Sequence, residues 1–326
     1  MTRPAYREVE LDLRVTRRED SADGVVTLTL TDPSGSDLPE WTPGAHIDLV
    51  MTPELVRQYS LCGDTTNRSE WRVGVLLDPA SRGGSEFVHN KLHEGSTIRV
   101  RGPRNHFGLV SAPRYRFIAG GIGITPMLPM IAAADAVGAD WQLLYGGRTR
   151  TSMAYLDELA RYGDRVTVCA RDEHAISPPF RAELETVLAE SHPDTLVYCC
   201  GPEGLLTATE DGCKHWPTDS LHIERFAAKT VDDTADTLES FEVECQRSGI
   251  TLTVPLDKTI YDVAEEAGLD VLGSCMEGVC GTCECDVLQG DPDHRDSVLN
   301  DAEKAAGQSI MICVSRSRSP RLVLDL

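Results

Sequence analysis

Cys275-Met276-Glu277-Gly278-Val279-Cys280-Gly281-Thr282-Cys283 sets three cysteines in the spacing C-x4-C-x2-C, and a fourth, Cys313, stands alone further along. Two tetrahedral irons that share bridging sulfides need two thiolates each. A loop that wraps the group supplies three and a remote segment closes the site, which is the ligand pattern of a [2Fe–2S] cluster. Gly278 and Gly281 let the backbone pass close, so amide N–H groups can point at the sulfurs. Structural zinc usually takes two short Cys-x2-Cys pairs, and a zinc module is the alternative reading. Cys285 lies two residues past Cys283, on the same side of an extended segment, and is expected to pack.

Around this loop the last part of the chain, residues 239–326, shows two strand-like runs, Ser240–Gln246 and Ile250–Pro255. A helix is expected at Thr259–Ala267 and a short one near Asp301–Ala306. Residues 229–238 are polar and acidic and read as a linker. Residues 111–228 alternate strand and helix. Tyr115–Ala119, Trp141–Tyr145, Arg165–Ala170, Thr195–Cys200 and Leu221–Phe226 read as strands. Helices are expected between them at Pro126–Val137, Ser152–Tyr162, Phe180–Glu190 and Glu203–Cys213, which implies a parallel doubly wound sheet. Residues 1–110 carry short apolar runs, Gly24–Leu30, His46–Met51, Trp71–Leu77 and Thr97–Arg101, separated by turn residues. That spacing suggests an antiparallel barrel or sandwich.

A chain of 326 residues is long enough for two or three domains with separate cores. With 41% hydrophobic and 25% charged residues, it has the composition of a globular protein in water. No apolar run is long enough for a membrane span, and the first 18 residues lack the apolar core of a secretory signal, so a cytoplasmic location is expected. A net charge of −21 argues against nucleic acid. From Glu239 onward there are 17 acidic and 7 basic residues, a balance of −10. This excess either solubilises the segment or forms a docking face for a basic partner, and charge alone does not choose. Eleven cysteines without an export signal do not suggest a disulfide framework. Those without ligand spacing are expected to pack.

The last 85 or so residues resemble plant-type ferredoxin, and Thr282 inside Cys280-Gly281-Thr282-Cys283 adds to the likeness. Arg57-Gln58-Tyr59-Ser60 resembles the RxYS motif of the ferredoxin–NADP reductase superfamily. The resemblance implies that Arg57 holds the flavin phosphate, Tyr59 lies against the ring and Ser60 approaches its N5. The chemistry agrees: a guanidinium offers a fork of donors to phosphate, and a tyrosine two residues on lies on the same face of a strand. Ser81-Arg82-Gly83-Gly84-Ser85 leads into a helix, an anion site where Gly83, Gly84 and Ser85 can meet the same phosphate. Gly102-Pro103-Arg104-Asn105-His106-Phe107 matches the GPRNxF segment of the phthalate dioxygenase reductase branch, which implies FMN at Arg104 and Asn105. Ala119-Gly120-Gly121-Ile122-Gly123-Ile124-Thr125-Pro126 resembles the superfamily's GGxGxTP turn. Gly120, Gly121 and Gly123 allow approach to a pyrophosphate, Thr125 is expected to cap the following helix and Pro126 to open it. Cys200-Gly201-Pro202 resembles the turn that faces the nicotinamide, and Phe226, with Glu224 nearby, resembles the aromatic that covers the flavin. Asp172 is placed to bond the adenosine ribose hydroxyls and repel a 2′-phosphate, whereas Arg148, Arg150 and Arg171 nearby offer charge that would accept one, and NADH is what the resemblance implies.

In this order the motifs make the whole chain similar to the phthalate dioxygenase reductase family. The resemblance implies a multidomain protein: an antiparallel β-barrel flavin domain, an α/β doubly wound nucleotide domain and an α+β β-grasp ferredoxin domain. It implies electron flow from NADH through FMN and a [2Fe–2S] cluster held by Cys275, Cys280, Cys283 and Cys313. The acceptor is a terminal oxygenase, of Rieske or haem-thiolate type, docking at the acidic ferredoxin domain. A stand-alone flavin oxidase or ferric reductase is the rival, and an attached one-electron carrier would be superfluous there.

Overall fold

The computed structural model describes residues 9–173, 179–227 and 239–326; the linker expected at 229–238 lies outside them. The chain divides into two compact units, Met1–Glu224 and Arg225–Leu326.

The first unit begins with strands β1 (Val9–Ala22), β2 (Val25–Thr31), β3 (His46–Thr52), β4 (Leu55–Ser60) and β5 (Trp71–Leu76), then helix α1 (Gly84–Lys91) and strand β6 (Thr97–Arg104). They form an antiparallel sheet in the order β4-β3-β6-β1-β2-β5. A bridge between Leu61 and Val73 joins the two edges, so the sheet curls into a barrel. Its interior is filled by Leu13, Leu28, Ile47, Leu49, Trp71 and Val100. Strand β1 is not evident from the apolar runs, because charged residues crowd it. Yet Leu13 and Val15 turn inward while their neighbours face water, the period-two alternation of a half-buried strand.

Strands β7 (Arg114–Gly120), β8 (Asp140–Gly147), β9 (Val166–Ala170), β10 (Thr195–Cys200) and β11 (Leu221–Glu224) form an all-parallel sheet in the order β11-β10-β7-β8-β9. Helices α2 (Met127–Ala136), α3 (Leu156–Ala160), α4 (Phe180–Leu188) and α5 (Glu203–Gly212) connect them. The winding of the sheet reverses between β7 and β10, and a doubly wound sheet opens its ligand crevice at the carboxyl ends of such a pair. The helix expected at Ser152–Tyr162 shrinks to α3. Tyr155 adopts a left-handed conformation, φ 64°, which breaks the helix ahead of it.

That tyrosine also fastens the barrel to the nucleotide sheet. Its hydroxyl lies 2.8 Å from Thr27 Oγ1 on β2. Gly74 on β5 leaves the space its ring end needs. Beside it, Arg72 forms a bidentate ion pair with Glu158 of α3 at 2.7 and 2.9 Å and donates to the Cys62 carbonyl. Phe107 and Cys62 join Phe117, Met130, Tyr145 and Tyr198 in one continuous core. The opposite face of the sheet packs Ile118, Leu144, Val197 and Leu206.

The second unit contains β12 (Phe241–Cys245), β13 (Ile250–Val254), α6 (Ile260–Glu266), β14 (Glu284–Gln289), β15 (Pro292–Asp293), α7 (Asp301–Ala306), β16 (Ser309–Met311), β17 (Arg316–Ser317) and β18 (Arg321–Leu324). Its main sheet runs β13-β12-β18-β14-β16, with β12 and β18 parallel and the other pairs antiparallel. Helix α6 supplies Ile260, Val263 and Ala264 as buried residues, and the first two join Phe241, Val243 and Leu322 in the core of this β-grasp. Thr259 caps α6 through a reciprocal bond with Asp262, and Asn300 caps α7 through Glu303. Among the described residues, no helix is long and apolar enough to cross a membrane.

Arg72→Ala removes a charge-assisted fork that is only partly exposed and leaves the Cys62 carbonyl without these donors. A loss of about 1–3 kcal/mol is expected, read as a lower denaturation midpoint for the first unit, with the second unit's transition unmoved.

Candidate functional site

The cysteine loop presents its thiols in pairs. Cys283 Sγ and Cys313 Sγ lie 3.1 Å apart, and Cys275 interacts with both Cys280 and Cys313. The backbone N–H groups of Glu277 and Val279 approach Cys275 Sγ at 3.3 and 3.5 Å, and Thr282 Oγ1 lies 3.1 Å from Cys280 Sγ. Met276, Gly278 and Gly281 all hold positive φ, so the loop folds around the sulfurs with its amides turned inward. At Gly278 a side-chain carbon would sit 2.6 Å from Val314 Cγ2 and 3.0 Å from Asp296 Cα. The Cys275 partnership and burial push the Cys280 thiol up, which a bound cation would reverse. Paired thiols ringed by N–H donors fit a two-iron cluster. Of the four, Cys275 is half-buried, while Cys280, Cys283 and Cys313 are buried. The seven remaining cysteines, Cys285 included, are buried thiols.

In the barrel, Arg57 and Tyr59 occupy alternate positions of β4 opposite Leu49 and Ile47. Arg57 is anchored by its own donors, Nη1 to the Val56 carbonyl at 2.8 Å and Nη2 to the Arg82 carbonyl at 3.0 Å. This brings it beside the start of α1, where a side chain at Gly84 would strike it. Gly83, at φ 90°, turns the chain into α1, and among the described residues no side chain caps that helix. Ser85 Oγ donates instead to Ser81 Oγ at 3.0 Å and accepts from the Asp78 N–H at 3.1 Å. A guanidinium next to uncapped helix N–H groups fits a phosphate.

The GPRNxF segment takes on structural duties that the motif does not reveal. Arg104 forms an ion pair with Asp48, whose carboxylate is fully buried on β3 and also accepts from Gln58 Nε2 at 2.9 Å. Asn105 Nδ2 donates to Thr42 Oγ1 at 2.8 Å and to the Pro43 carbonyl at 3.0 Å, and its Oδ1 accepts from the Phe107 N–H. Both residues thus brace the barrel rim that carries β4. Asp48 was open to suspicion from sequence, as an acid inside the apolar run His46–Met51.

The two nucleotide motifs meet through their glycines. β7 and β10 are parallel neighbours with Ala119 beside Cys200. A side-chain carbon at Gly120 would lie 2.7 Å from Pro202 Cδ, one at Gly201 3.0 Å from Gly120 Cα, and one at Gly123 would collide with the Cys200 carbonyl. Gly121, at φ 55°, faces open space. Thr125 does not cap α2. It closes a 3-10 turn over Gly121–Ile124, and its Oγ1 donates to the Ile122 carbonyl at 2.9 Å. Pro126 takes the cap position itself. Arg148 is exposed just past β8, and Asp172 Oδ1, just past β9, accepts from the Arg150 N–H at 3.1 Å.

Ser60, Cys200 and Glu224 come together. Cys200 Sγ lies 4.0 Å from Glu224 Oε2, in register across β10 and β11. Burial pushes the Glu224 carboxyl up to about 8, offset in part by Ser60, although Ser60 Oγ makes no contact of full hydrogen-bond geometry among the described residues. Burial, then Glu224, holds the Cys200 thiol protonated. Phe226, expected to cover the flavin, belongs to the second compact unit and is 43% exposed.

Residues 243–318 match the family described as 2Fe-2S iron-sulfur cluster binding domain, and residues 117–211 match the oxidoreductase NAD-binding domain. Phenoxybenzoate dioxygenase subunit beta of Ectopseudomonas oleovorans is 42% identical over 317 residues, 97% of each chain. The structure of an intact type IV self-sufficient cytochrome P450 monooxygenase aligns over 98% of this chain with 44% identity and a TM-score of 0.91; the chain spans 41% of that longer protein. Phthalate dioxygenase reductase, described as a modular structure for electron transfer from pyridine nucleotides to [2Fe–2S], aligns with 36% identity and a TM-score of 0.69 over 97% of this chain and 98% of its own. A curled antiparallel sheet, a parallel nucleotide sheet and a ferredoxin-like unit with paired cysteines, matched along almost their whole length, place this chain in the phthalate dioxygenase reductase family of oxygenase reductases.

Proposed function

We propose that the chain is the NADH-dependent reductase of an oxygenase system, with FMN in the barrel, NADH at the β7–β10 crevice and the cluster on Cys275, Cys280, Cys283 and Cys313. The observation that carries this is the set of paired, N–H-ringed thiols in the same polypeptide as a guanidinium beside an uncapped helix. When bound, a flavin converts two-electron delivery by a nicotinamide into the single-electron steps that an iron–sulfur cluster accepts.

The chain's own residues act by holding and orienting. Arg57 neutralises the flavin phosphate while Gly83, Gly84 and Ser85 offer the start of α1 to it, and Tyr59 supplies the ring with an apolar plate. Arg104 and Asn105 serve that site by fixing the rim around it. Gly121, Gly123 and Thr125, with Gly120 and Pro126, shape the crevice for the pyrophosphate, and Gly201 and Pro202 close its other wall. Ser60, Cys200 and Glu224 line the place where nicotinamide and flavin meet. There Glu224 keeps a proton at neutral pH, so the protein adds no negative charge beside the reacting rings. Asp172 binds the ribose hydroxyls and repels a 2′-phosphate, which favours NADH, and Arg148 steadies the adenosine side.

The partner is an oxygenase, Rieske or haem-thiolate, reached in the cytoplasm. Cys275 marks the cluster's accessible edge. Glu277, between two of the cysteines, and Glu284, just past the loop, are half-buried and Asp286 is exposed, which supports docking of a basic patch there.

Cys280→Ser should erase the cluster's visible and paramagnetic signals. Ferricyanide reduction by NADH should persist, because that oxidant takes electrons from flavin directly, while transfer to cytochrome c or the oxygenase should fail. Loss of both activities would sink the proposed order of carriers.

The raised Glu224 carboxyl makes a further demand. An unfolded glutamate titrates near 4.3, so the folded state favours the proton. That stability is complete below about 4.3 and is lost as pH rises through about 8. In flavin-free protein the denaturation midpoint should therefore fall across this window, and Glu224→Gln should flatten the fall.

Transfer to the oxygenase should slow with added salt, since the Debye length is roughly 8 Å at 0.15 M. Glu277→Lys should mimic that slowing while flavin reduction by NADH keeps its rate. Stopped-flow traces that ignore both changes would remove the docking face.

A further inference from the structure

Behind the cysteine loop lies a buried acid that the cluster reading does not use. The Asp296 side chain is 0% exposed. A carboxylate taken out of water is costly unless it is bonded. Its Oδ2 accepts from the N–H groups of Val298 and Leu299 at 3.0 and 2.8 Å, which closes the turn that leads to α7. Its Oδ1 meets no partner of hydrogen-bond geometry among the described residues, and His294 Nδ1 stands 3.8 Å away. From α7, Lys304 Nζ donates to the Asp296 carbonyl at 2.8 Å.

The same turn grips the cluster loop. The Ser297 N–H donates to the Gly278 carbonyl at 2.8 Å. Gly278 has no room for a side chain, because Asp296 Cα would lie 3.0 Å from it. The Gly278–Val279 peptide is thereby held at its carbonyl by the 296–299 turn, while its own N–H, that of Val279, approaches Cys275 Sγ at 3.5 Å and the Glu277 N–H does so at 3.3 Å.

Resting on the cluster reading above, we propose that Asp296 is a positioning residue for the cluster: by closing the 296–299 turn against Gly278, it sets the direction of the loop peptides that face the cysteine sulfurs. Asp296 touches no reacting atom in this account. Its carboxylate organises a turn, the turn holds a peptide, and the peptide orients donors whose hydrogen bonds tune the metal centre. Apolar packing would have filled the same space without a buried charge. Only an acceptor at this position can close the turn from inside.

The test uses full-length protein loaded with flavin and cluster. Asp296→Ala should change the paramagnetic resonance line shape of the reduced cluster and speed its bleaching by a chelator by roughly tenfold or more. Asp296→Asn keeps an oxygen for the Val298 and Leu299 N–H groups and should behave as wild type in both measurements. Lys304→Met should shift the line shape in the same direction as Asp296→Ala, by less. The proposal is overturned if Asp296→Ala leaves line shape and bleaching unchanged, or if Asp296→Asn disturbs them equally. Where Asp296→Ala holds no cluster, Lys304→Met decides, and an unshifted line shape there overturns the idea. A wild-type protein without any cluster signal would instead refute the cluster reading itself.

Discussion

At Gly123 there is no room for even one methyl group, because the Cys200 carbonyl occupies the place it would take. This close approach of two backbones governs the nucleotide half of the molecule. Gly201 repeats it against the Gly120 backbone, and a side chain at Gly120 would strike Pro202 and Leu205. β7 and β10 can therefore end together, and the crevice between their carboxyl ends is floored by main chain rather than by side chains. Cys200 and Glu224, held in register by β10 and β11, stand at the edge of that floor.

The barrel is positioned by a different means, a polar lock set in an apolar seam. Phe107 and Cys62 share a core with Phe117 and Tyr145, which supplies most of the adhesion. Direction comes from Tyr155 and the Arg72–Glu158 fork, since hydrogen bonds tolerate little misalignment. A flavin site and a nicotinamide site must keep a constant separation to exchange electrons, and one apolar seam alone would permit sliding. The ferredoxin-like unit has its own core and its own lock. Asp296 and Lys304 brace the loop there as Tyr155 and Arg72 brace the seam.

Most of the chemistry was readable from the chain because it depends on short spacings. The cysteine loop, the two glycine turns and the Arg57–Ser60 segment each lie within a few residues, so local geometry brings their groups together. The five strands of the parallel sheet were also legible, as buried strands read as continuous apolar runs. Strand β1 was not, for its charges hide an alternation whose inward half is only Leu11, Leu13 and Val15. Nor was the break at Tyr155: a tyrosine rarely takes positive φ, and the contacts that hold it there come from Thr27 on β2 and from the Arg72 guanidinium of β5 over its ring.

The sequence by itself determined which groups are present and which are neighbours along the chain: four thiols, a guanidinium before a tyrosine, and glycines where backbones must pass. Tertiary structure alone decided what those groups face. Arg104 meets Asp48, Asn105 ties down Thr42 and Pro43, Thr125 turns back to Ile122 instead of capping a helix, and Asp296 lies beneath Gly278. The division is physical. A motif's internal distances follow from bond lengths and dihedral angles over a few residues. The partner of a buried polar group is whichever complementary group the packed fold brings within hydrogen-bond reach, and that choice is made across dozens of intervening residues.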